Sequence, residues 1–240
     1  MTATRTIVTT AFGLTLLIVA GCATTDVAEV KKGPGSGFLG RDYALLTAGE
    51  VAKGQAGLRY FNPQTNWRQY GRVLLEPVTF WGDDIGKVPP ADQQALGTYF
   101  NASLEREFGK RFDIVTTLMP GTVRLQVAVV DVEAATPGLR SISLVVPQAR
   151  VLTAVGSMAM GEQVSAGSLQ VESRLTDAAT GQLLAAAVAR GIGGGSVKAA
   201  AQVKWGDAQN AMDLFARRAA TNLSALTTGK ATPLQLPLPD

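Results

Sequence analysis

Two neighbouring patterns of apolar and polar residues restrict the fold of this chain more than any other sequence feature. From Ser168 to Thr176, apolar side chains at 169, 171 and 175 alternate with polar ones, and a second, mainly apolar run extends from Gln182 to Ile192. The residues between them, Asp177 to Gly181, are rich in the types that favour turns. A period of two is typical of strands. We therefore predict an antiparallel hairpin, and with it a sheet.

Further segments also have strand patterns. Residues Arg72 to Trp81 are rich in Val, Leu and Phe, although Pro77 favours an edge position or a bulge. Phe112 to Leu118 predicts a short strand, and Pro120-Gly121 then turns the chain into another strand with apolar residues at 123, 125, 127 and 129. That alternation breaks at the adjoining valines 129 and 130, which predicts a bulge or burial on both faces.

Two segments have the periodicity of amphipathic helices. The first begins at Pro89-Pro90 and repeats an apolar residue every four positions: Leu96, Phe100, Leu104 and Phe108. The second begins at Asp207, a residue type that favours helix N-caps, and ends near Thr227. We expect its apolar stripe to be buried, and Asp213 and Arg217 to form an i,i+4 ion pair on its solvent side.

The segment from Thr136 to Gly161 has a weaker pattern. Ile142 to Val146 fits a strand, and Pro147 to Met160 fits a helix that begins at its proline. Together, the segments predict an α+β fold of two layers. Its sheet would be mostly antiparallel or mixed, with about five strands and with two or three helices packed on one face.

The first 22 residues have the features of a bacterial lipoprotein leader. Arg5 is the only charged residue among the first 25, and the apolar stretch Ile7 to Gly21 spans 15 residues. A membrane-spanning helix needs about 20 residues, so this stretch fits the core of a signal peptide better. Val19-Ala20-Gly21-Cys22 then matches the lipobox at all four positions. We predict cleavage before Cys22 and acylation of its sulfur; an ordinary secretory peptide and a short membrane anchor are the alternatives.

These features divide the chain into four predicted parts. Residues 1–21 are the signal peptide, and 22–40 are an acylated N-terminus with a flexible tether, because Gly33 to Gly37 lacks periodicity and strand formers. Residues 41–228 form the α+β domain, and 229–240 a proline-rich tail. Acylation gives stable membrane attachment. Because no Asp follows Cys22 directly, we predict a protein anchored to the periplasmic face of the outer membrane.

Composition excludes several kinds of chemistry. The chain has no histidine and one cysteine, which rules out Ser-His and Cys-His catalytic units, His-ligated metals and an internal disulfide. Its formal charge of +3 arises from basic residues scattered along the chain, so we predict no nucleic-acid partner. No motif predicts a cofactor, a metal site or a catalytic residue.

An aromatic cluster precedes the first predicted strand. Tyr60, Trp67 and Tyr70 lie within eleven residues and are interleaved with arginines, among them Arg68. Aromatic and arginine side chains are enriched at interface hot spots, so these four residues are the candidate partner surface. The alternative is that the segment packs across the sheet, with arginine stems covering aromatic faces.

Four further groupings of residues have weaker functional interpretations. The glycine-rich run 191–196 lacks the spacing of a P-loop and is better explained as a flexible exit from the hairpin. Ser196 and Lys198 could form a nucleophile–base pair. Asp83-Asp84, and separately Asp131 with Glu133, could be acid–base or metal carboxylates, whereas solvated charges in loops and at strand ends are the simpler explanation.

Several short blocks of sequence occur in order between about Gly35 and Leu226, nearly all of the predicted mature chain. They include Ser36-Gly37-Phe38-Leu39-Gly40, Val146-Pro147-Gln148-Ala149-Arg150, Thr180-Gly181-Gln182-Leu183-Leu184 and Lys204-Trp205-Gly206-Asp207-Ala208. In these blocks the chain resembles a bacterial lipoprotein family known as domain of unknown function 3313. The resemblance implies an acylated envelope protein, and it implies no activity.

Three classes of function remain. We predict the first, a non-enzymatic cell-envelope lipoprotein that binds or helps to assemble another component. Its partners would be the lipid bilayer, through acylated Cys22, and an envelope protein. The second class is a carboxylate-dependent envelope hydrolase. The third is a carrier of a small hydrophobic ligand held between the sheet and the helices.

Overall fold

The centre of the fold is a mixed sheet. A computed structural model of the chain describes residues 26–30, 35–134, 167–192 and 205–237. These residues form nine strands: β1 (Asp26–Ala28), β2 (Thr47–Ala48), β3 (Leu58–Phe61), β4 (Arg72–Leu75), β5 (Thr79–Phe80), β6 (Asp113–Ile114), β7 (Thr122–Glu133), β8 (Ser168–Asp177) and β9 (Leu183–Ile192). Their order is β2-β3-β9-β8-β7-β4-β6, and in addition β1 pairs with β9 and β5 with β7.

The sheet is larger than the about five strands that the sequence predicts, and this part of the prediction is wrong. The long strands β7, β8 and β9 follow the predicted alternations and have 12, 10 and 10 residues. The other strands have only two to four residues each. Segments this short contain one or two alternations at most, so the hydrophobic pattern does not reveal them.

Pro77 explains the division of the predicted strand between 72 and 81. β4 ends at Leu75 and β5 begins at Thr79, and both strands pair parallel with β7. Proline has no amide hydrogen to donate to the ladder, so pairing stops around it and resumes two residues later. The predicted strand Phe112 to Leu118 is likewise reduced to the two residues of β6, which pair with β4.

The predicted hairpin and the predicted irregularity in β7 are confirmed. β8 and β9 pair antiparallel along their length. In the turn between them, the Asp177 carboxylate accepts hydrogen bonds from the amides of Ala179 (3.0 Å) and Thr180 (2.8 Å). The register of β7 against β8 shifts between Val129 and Asp131, where the sequence alternation breaks.

The described residues contain two α-helices, α1 (Pro90–Gly109) and α2 (Gly206–Thr227). The predicted apolar stripe of α1, at 96, 100, 104 and 108, is buried. The rings of Phe100 on α1 and Phe215 on α2 meet edge to face, with their centroids 5.6 Å apart. Both helices share one apolar core with residues of β7, β8 and β9.

Asp207 does not cap α2 in the way that the sequence predicts. It lies in the first turn of the helix, and the residue in the N-cap position is Trp205. The Asp207 carboxylate is buried and accepts a 3.0 Å hydrogen bond from the amide of Gly167. Asp207 therefore connects the start of α2 to the residue that precedes β8.

Some sequence predictions lie outside the described residues. These are the signal peptide, Cys22, the strand and helix predicted between 136 and 161, and the run 193–198 with Ser196 and Lys198. In the part of the chain that the structure describes, no helix combines the length and the apolarity that crossing a bilayer requires.

Candidate functional site

An apolar cavity of about 180 Å³ lies between α2 and the sheet strands β8 and β9. Its walls include the alanines at 185, 187 and 189 on β9 and those at 211 and 219 on α2. Alternate residues of a strand point to the same face, so the three β9 alanines face α2 together. Their methyl groups are short, and the space between sheet and helix is left partly unfilled.

Arginine side chains line one end of this cavity. Arg59 of β3 and Arg218 of α2 both belong to the lining, as does Gln55. The Arg59 guanidinium donates a 3.2 Å hydrogen bond to the carbonyl oxygen of Leu236, and Gln55 donates a 3.0 Å bond to the same oxygen. Arg218 donates to the carbonyl oxygen of Gly54 at 3.5 Å. These polar groups meet where the C-terminal segment contacts residues 54–55, while Ser173, Arg190 and Asn222 supply further polar lining.

The sequence patterns do not predict this cavity. The signal for it is the composition of β9, in which four of the five residues from 185 to 189 are alanine. Alanine is small and has no strong preference for strands, so a run of it in a central strand indicates a face without bulky packing. The sequence does not show which element lies opposite that face.

Glu172 of β8 holds the N-terminal segment on the opposite face of the sheet. Its side chain is 2% exposed. It accepts hydrogen bonds from the hydroxyl of Ser36 (3.0 Å) and from the amides of Ser36 and Leu39 (3.3 Å each). Arg174 donates to the carbonyl oxygens of Phe38 (3.0 Å) and Leu39 (2.9 Å) and forms an ion pair with Asp42. Residues 36–39 therefore have specific partners on the sheet.

These contacts involve part of the region for which the sequence predicts a flexible tether. β1, which also lies in that region, pairs antiparallel with residues 190–192 of β9. Leu39 is buried with Ala186 and Val188, on the face of β9 opposite the helices. The glycine- and proline-rich composition of 33–37 does not indicate the contacts of residues 36–39 with β8. The partners of these residues are more than 130 residues away along the chain.

A polar cluster joins the two helices beside the core. The Asp213 carboxylate accepts hydrogen bonds from the hydroxyl of Tyr99 (2.8 Å), the hydroxyl of Ser103 (2.5 Å) and the guanidinium of Arg106 (2.8 Å). The predicted ion pair with Arg217 on the solvent side is therefore wrong, since Asp213 pairs with Arg106 of α1 and Arg217 is exposed. The pattern of α2 alone does not reveal that α1 lies against this face.

The cluster also changes the acidity of its members. Burial by itself raises the pKa of Asp213, but the hydrogen bonds from Ser103, Tyr99 and Arg106 outweigh burial and hold that pKa below its ordinary value. Burial, together with the hydrogen bond to Asp213, raises the pKa of Tyr99 to about 12. Near neutral pH the carboxylate is therefore ionised and the phenol neutral, as a stabilising hydrogen-bond network requires.

The four residues of the candidate partner surface do not form one exposed surface. Trp67 (8% exposed) and Tyr70 (4% exposed) are buried, and their rings meet edge to face with centroids 6.5 Å apart. Tyr60 is half-buried in β3, whereas Arg68 is exposed. The burial of Trp67 and Tyr70 favours the alternative that this segment packs across the sheet.

Tyr70 also has a polar contact that fixes its position. Its hydroxyl donates a 2.9 Å hydrogen bond to Asp177 in the hairpin turn. Burial, which is the stronger effect, and this hydrogen bond raise the pKa of Tyr70 to about 12. The Arg68 guanidinium lies against Gly229, just after the end of α2.

The weaker acidic candidates are separated in the structure. Asp83 and Asp84 lie in a single 3-10 turn between β5 and α1, where Asp83 is exposed. Asp131 is buried, and the Glu133 carboxylate accepts a 2.9 Å hydrogen bond from the hydroxyl of Ser168. Over the described ranges, no group of three or more Cys, Asp and Glu residues could hold a metal ion.

Comparison with known proteins gives one family match. A family model described as "Protein of unknown function (DUF3313)" matches residues 34–219, most of the chain. No curated protein matches the chain.

Two solved structures of the PelC dodecamer from Paraburkholderia phytofirmans, one of them of a single-residue variant, show a distant likeness. The variant is 10% identical to this chain, with a TM-score of 0.37. The other structure is 9% identical, with a TM-score of 0.36. Each match covers 66% of this chain and 92% of the PelC chain. At these values the likeness carries no argument about function.

Proposed function

The chain belongs to the DUF3313 family, and for this member we propose a lipid-anchored protein of the bacterial cell envelope that acts by binding another component. Its anchor would be an acylated Cys22, and its location the periplasmic face of the outer membrane. The partner would be an envelope protein. In this proposal the chain positions or assembles that partner and does not turn over a substrate.

The observation that supports the proposal most directly is how soon the sheet begins after Cys22. β1 starts at Asp26 and pairs with residues 190–192 of β9. Four residues of fully extended chain span at most about 14 Å. An acyl anchor at Cys22 would therefore keep the sheet close to the bilayer. Such attachment raises the effective concentration of a protein near membrane-bound partners.

The contacts of three carboxylates favour binding over catalysis. Asp177 stabilises the hairpin turn, Asp213 joins the two helices, and Glu172 holds the N-terminal segment. A general acid or base has to face a substrate, whereas these three side chains accept hydrogen bonds from the protein itself. The alternative of a carboxylate-dependent envelope hydrolase therefore has less support.

Cross-linking in cells tests this proposal. The full chain with a C-terminal affinity tag would be expressed in its host beside the Cys22→Ser variant, and both cultures treated with a membrane-permeable cross-linker. The variant Thr24→Ser is the matched control, because it changes a neighbouring hydroxyl residue and leaves the lipobox intact. We expect wild type and Thr24→Ser to cross-link to the same envelope protein, and Cys22→Ser to lose this product.

Two results would contradict the proposal. One is an identical set of cross-linked products for the wild type and Cys22→Ser, since the anchor would then have no part in partner binding. The other is hydrolysis of cell-wall or lipid substrates by the purified chain that a single Asp or Glu substitution abolishes. Either result would favour a function other than anchored binding of an envelope protein.

A further inference from the structure

We infer that the cavity beside α2 is a binding site for a single-chain anionic amphiphile. The hydrocarbon chain would occupy the apolar interior, and the carboxylate or a similar anion would lie at the end where Arg59 and Arg218 are found. This inference gives a site and a ligand class to the carrier alternative. It depends on the cavity, and it requires neither the anchor at Cys22 nor a protein partner.

The interior of the cavity suits a hydrocarbon. Besides the alanines, its lining includes Leu169 and Val171 of β8 and Phe215 and Leu223 of α2. Apolar cavities of about 150 Å³ in proteins stay dry and bind benzene. By the same measure, the 180 Å³ here holds roughly six to eight carbon atoms. The ligand is therefore a short chain.

The arginine end gives the site its preference for an anion. Of the described residues that line the cavity, none is acidic. The Arg59 guanidinium donates its hydrogen bonds to the main-chain carbonyl oxygens of Pro233 and Leu236, which are neutral acceptors and leave its charge in place. A guanidinium matches the two oxygens of a carboxylate in geometry as well as in charge. A cationic amphiphile would meet the same charge with repulsion.

The position of the cavity also suits a ligand taken from a membrane. Val27 of β1 belongs to the lining, and β1 begins four residues after Cys22. If the proposed anchor is present, the cavity lies near the bilayer, where fatty carboxylates partition. This argument concerns only the source of the ligand, because binding itself can be measured with the protein in solution.

Isothermal titration calorimetry tests the inference on the chain from Ala23 to Asp240, which contains every described residue and therefore the whole described core. The probes are octanoate, octan-1-ol and octylammonium at neutral pH, followed by hexanoate and decanoate. We expect octanoate to bind with a stoichiometry of one, and more tightly than octylammonium. Affinity should rise about threefold to fourfold for each added methylene until the cavity is full.

Variants then locate the bound chain. Ala187→Leu and Ala219→Leu fill the cavity from the sheet side and the helix side, and each should abolish binding of octanoate and octan-1-ol without lowering the melting temperature. Ala102→Leu, at an exposed position of α1, is the matched control and should bind as the wild type does. Two cavity variants are used so that misfolding of one leaves the test intact.

A charge variant locates the polar head. Arg59→Met keeps the aliphatic stem and removes the charge, so octanoate should bind about fivefold to tenfold more weakly while octan-1-ol binding is unchanged. Three results would overturn the inference: no octanoate binding to the folded wild type, octanoate binding that survives both cavity variants, or equal affinities for octanoate and octylammonium.

Discussion

The hydroxyl of Tyr99 on α1 lies 2.8 Å from one carboxylate oxygen of Asp213 on α2 and donates a hydrogen bond to it. Ser103 and Arg106, also on α1, bind the other oxygen of the same carboxylate. One acidic residue therefore fixes the position of α2 relative to α1, and both helices share the core with the sheet. The cavity beside α2 depends on that arrangement.

Replacing Asp213 should destabilise the fold. In Asp213→Ala, the hydroxyl of Ser103, which is fully buried, loses the acceptor of its hydrogen bond, and Tyr99 loses its partner as well. We expect the free energy of unfolding to fall by about 1–3 kcal/mol in urea titrations. The control Asp83→Ala removes an exposed carboxylate and should change it by less than about 0.5 kcal/mol. Equal effects of the two substitutions would contradict the structural role of Asp213.

The same cluster predicts how stability depends on pH. Hydrogen bonds from Ser103 and Tyr99, with the charge of Arg106, hold the pKa of Asp213 below its unfolded value despite burial. A lowered pKa in the folded state contributes stability above the unfolded pKa of about 3.9, and that stability is lost as pH falls through the folded pKa. The difference in unfolding free energy between wild type and Asp213→Asn should therefore shrink below about pH 4. A difference that stays constant down to pH 2 would contradict this.

Trp67 should contribute to stability rather than to a partner surface. Its ring packs edge to face on Tyr70 and on Phe61, with centroids 6.5 Å and 6.3 Å away. Trp67→Ala should therefore cost about 3–5 kcal/mol, which thermal unfolding would detect as a large drop in melting temperature. Trp81→Ala is the control, because Trp81 is 44% exposed, and it should cost about 1 kcal/mol or less. Intact stability in Trp67→Ala would restore the interface interpretation.

The sequence predicts the long elements of this fold and misses the short ones, for a physical reason. The hydrophobic pattern repeats several times in the hairpin of β8 and β9, in strand β7 and in both helices. Its period can therefore be recognised without knowing which element packs against each segment. β2, β5 and β6 have two residues each. Such strands form because a neighbouring strand offers unpaired amides and carbonyls. The hydrophobic pattern of the short segment itself does not show that such a neighbour is present.

The sequence does not predict the cavity or the hydrogen bonds of Asp213 for a related reason. Each depends on which element lies opposite a given face: α2 opposite the alanines of β9, and α1 opposite Asp213. The charge of Asp213 favours a solvent position, and Arg217, four residues later, is a local partner of opposite charge. Tertiary contact with α1 overrides that local preference. The aromatic cluster shows the same effect, since its composition fits an interface and a core equally well.

The contact between Glu172 and the N-terminal segment gives a prediction about local order. Glu172→Ala removes the acceptor for the amides of Ser36 and Leu39. We expect hydrogen–deuterium exchange to become faster in residues 35–46, while the amides of β8 and β9 keep their protection. Glu105→Ala, at an exposed site of α1, should leave the exchange of 35–46 unchanged. Unaltered exchange of that segment in Glu172→Ala would show that other contacts suffice to hold it.

The proposed anchor, an acylated Cys22, lies four residues before the first strand begins. Intact-mass and N-terminal peptide spectrometry of the protein purified from bacterial envelopes tests this most directly. The proposal predicts a mature chain that begins at Cys22 with acyl groups on that residue, and a Cys22→Ser variant that keeps the mass of the uncleaved precursor. A wild-type chain that begins at another residue, or one whose mature mass is shared by Cys22→Ser, would contradict it.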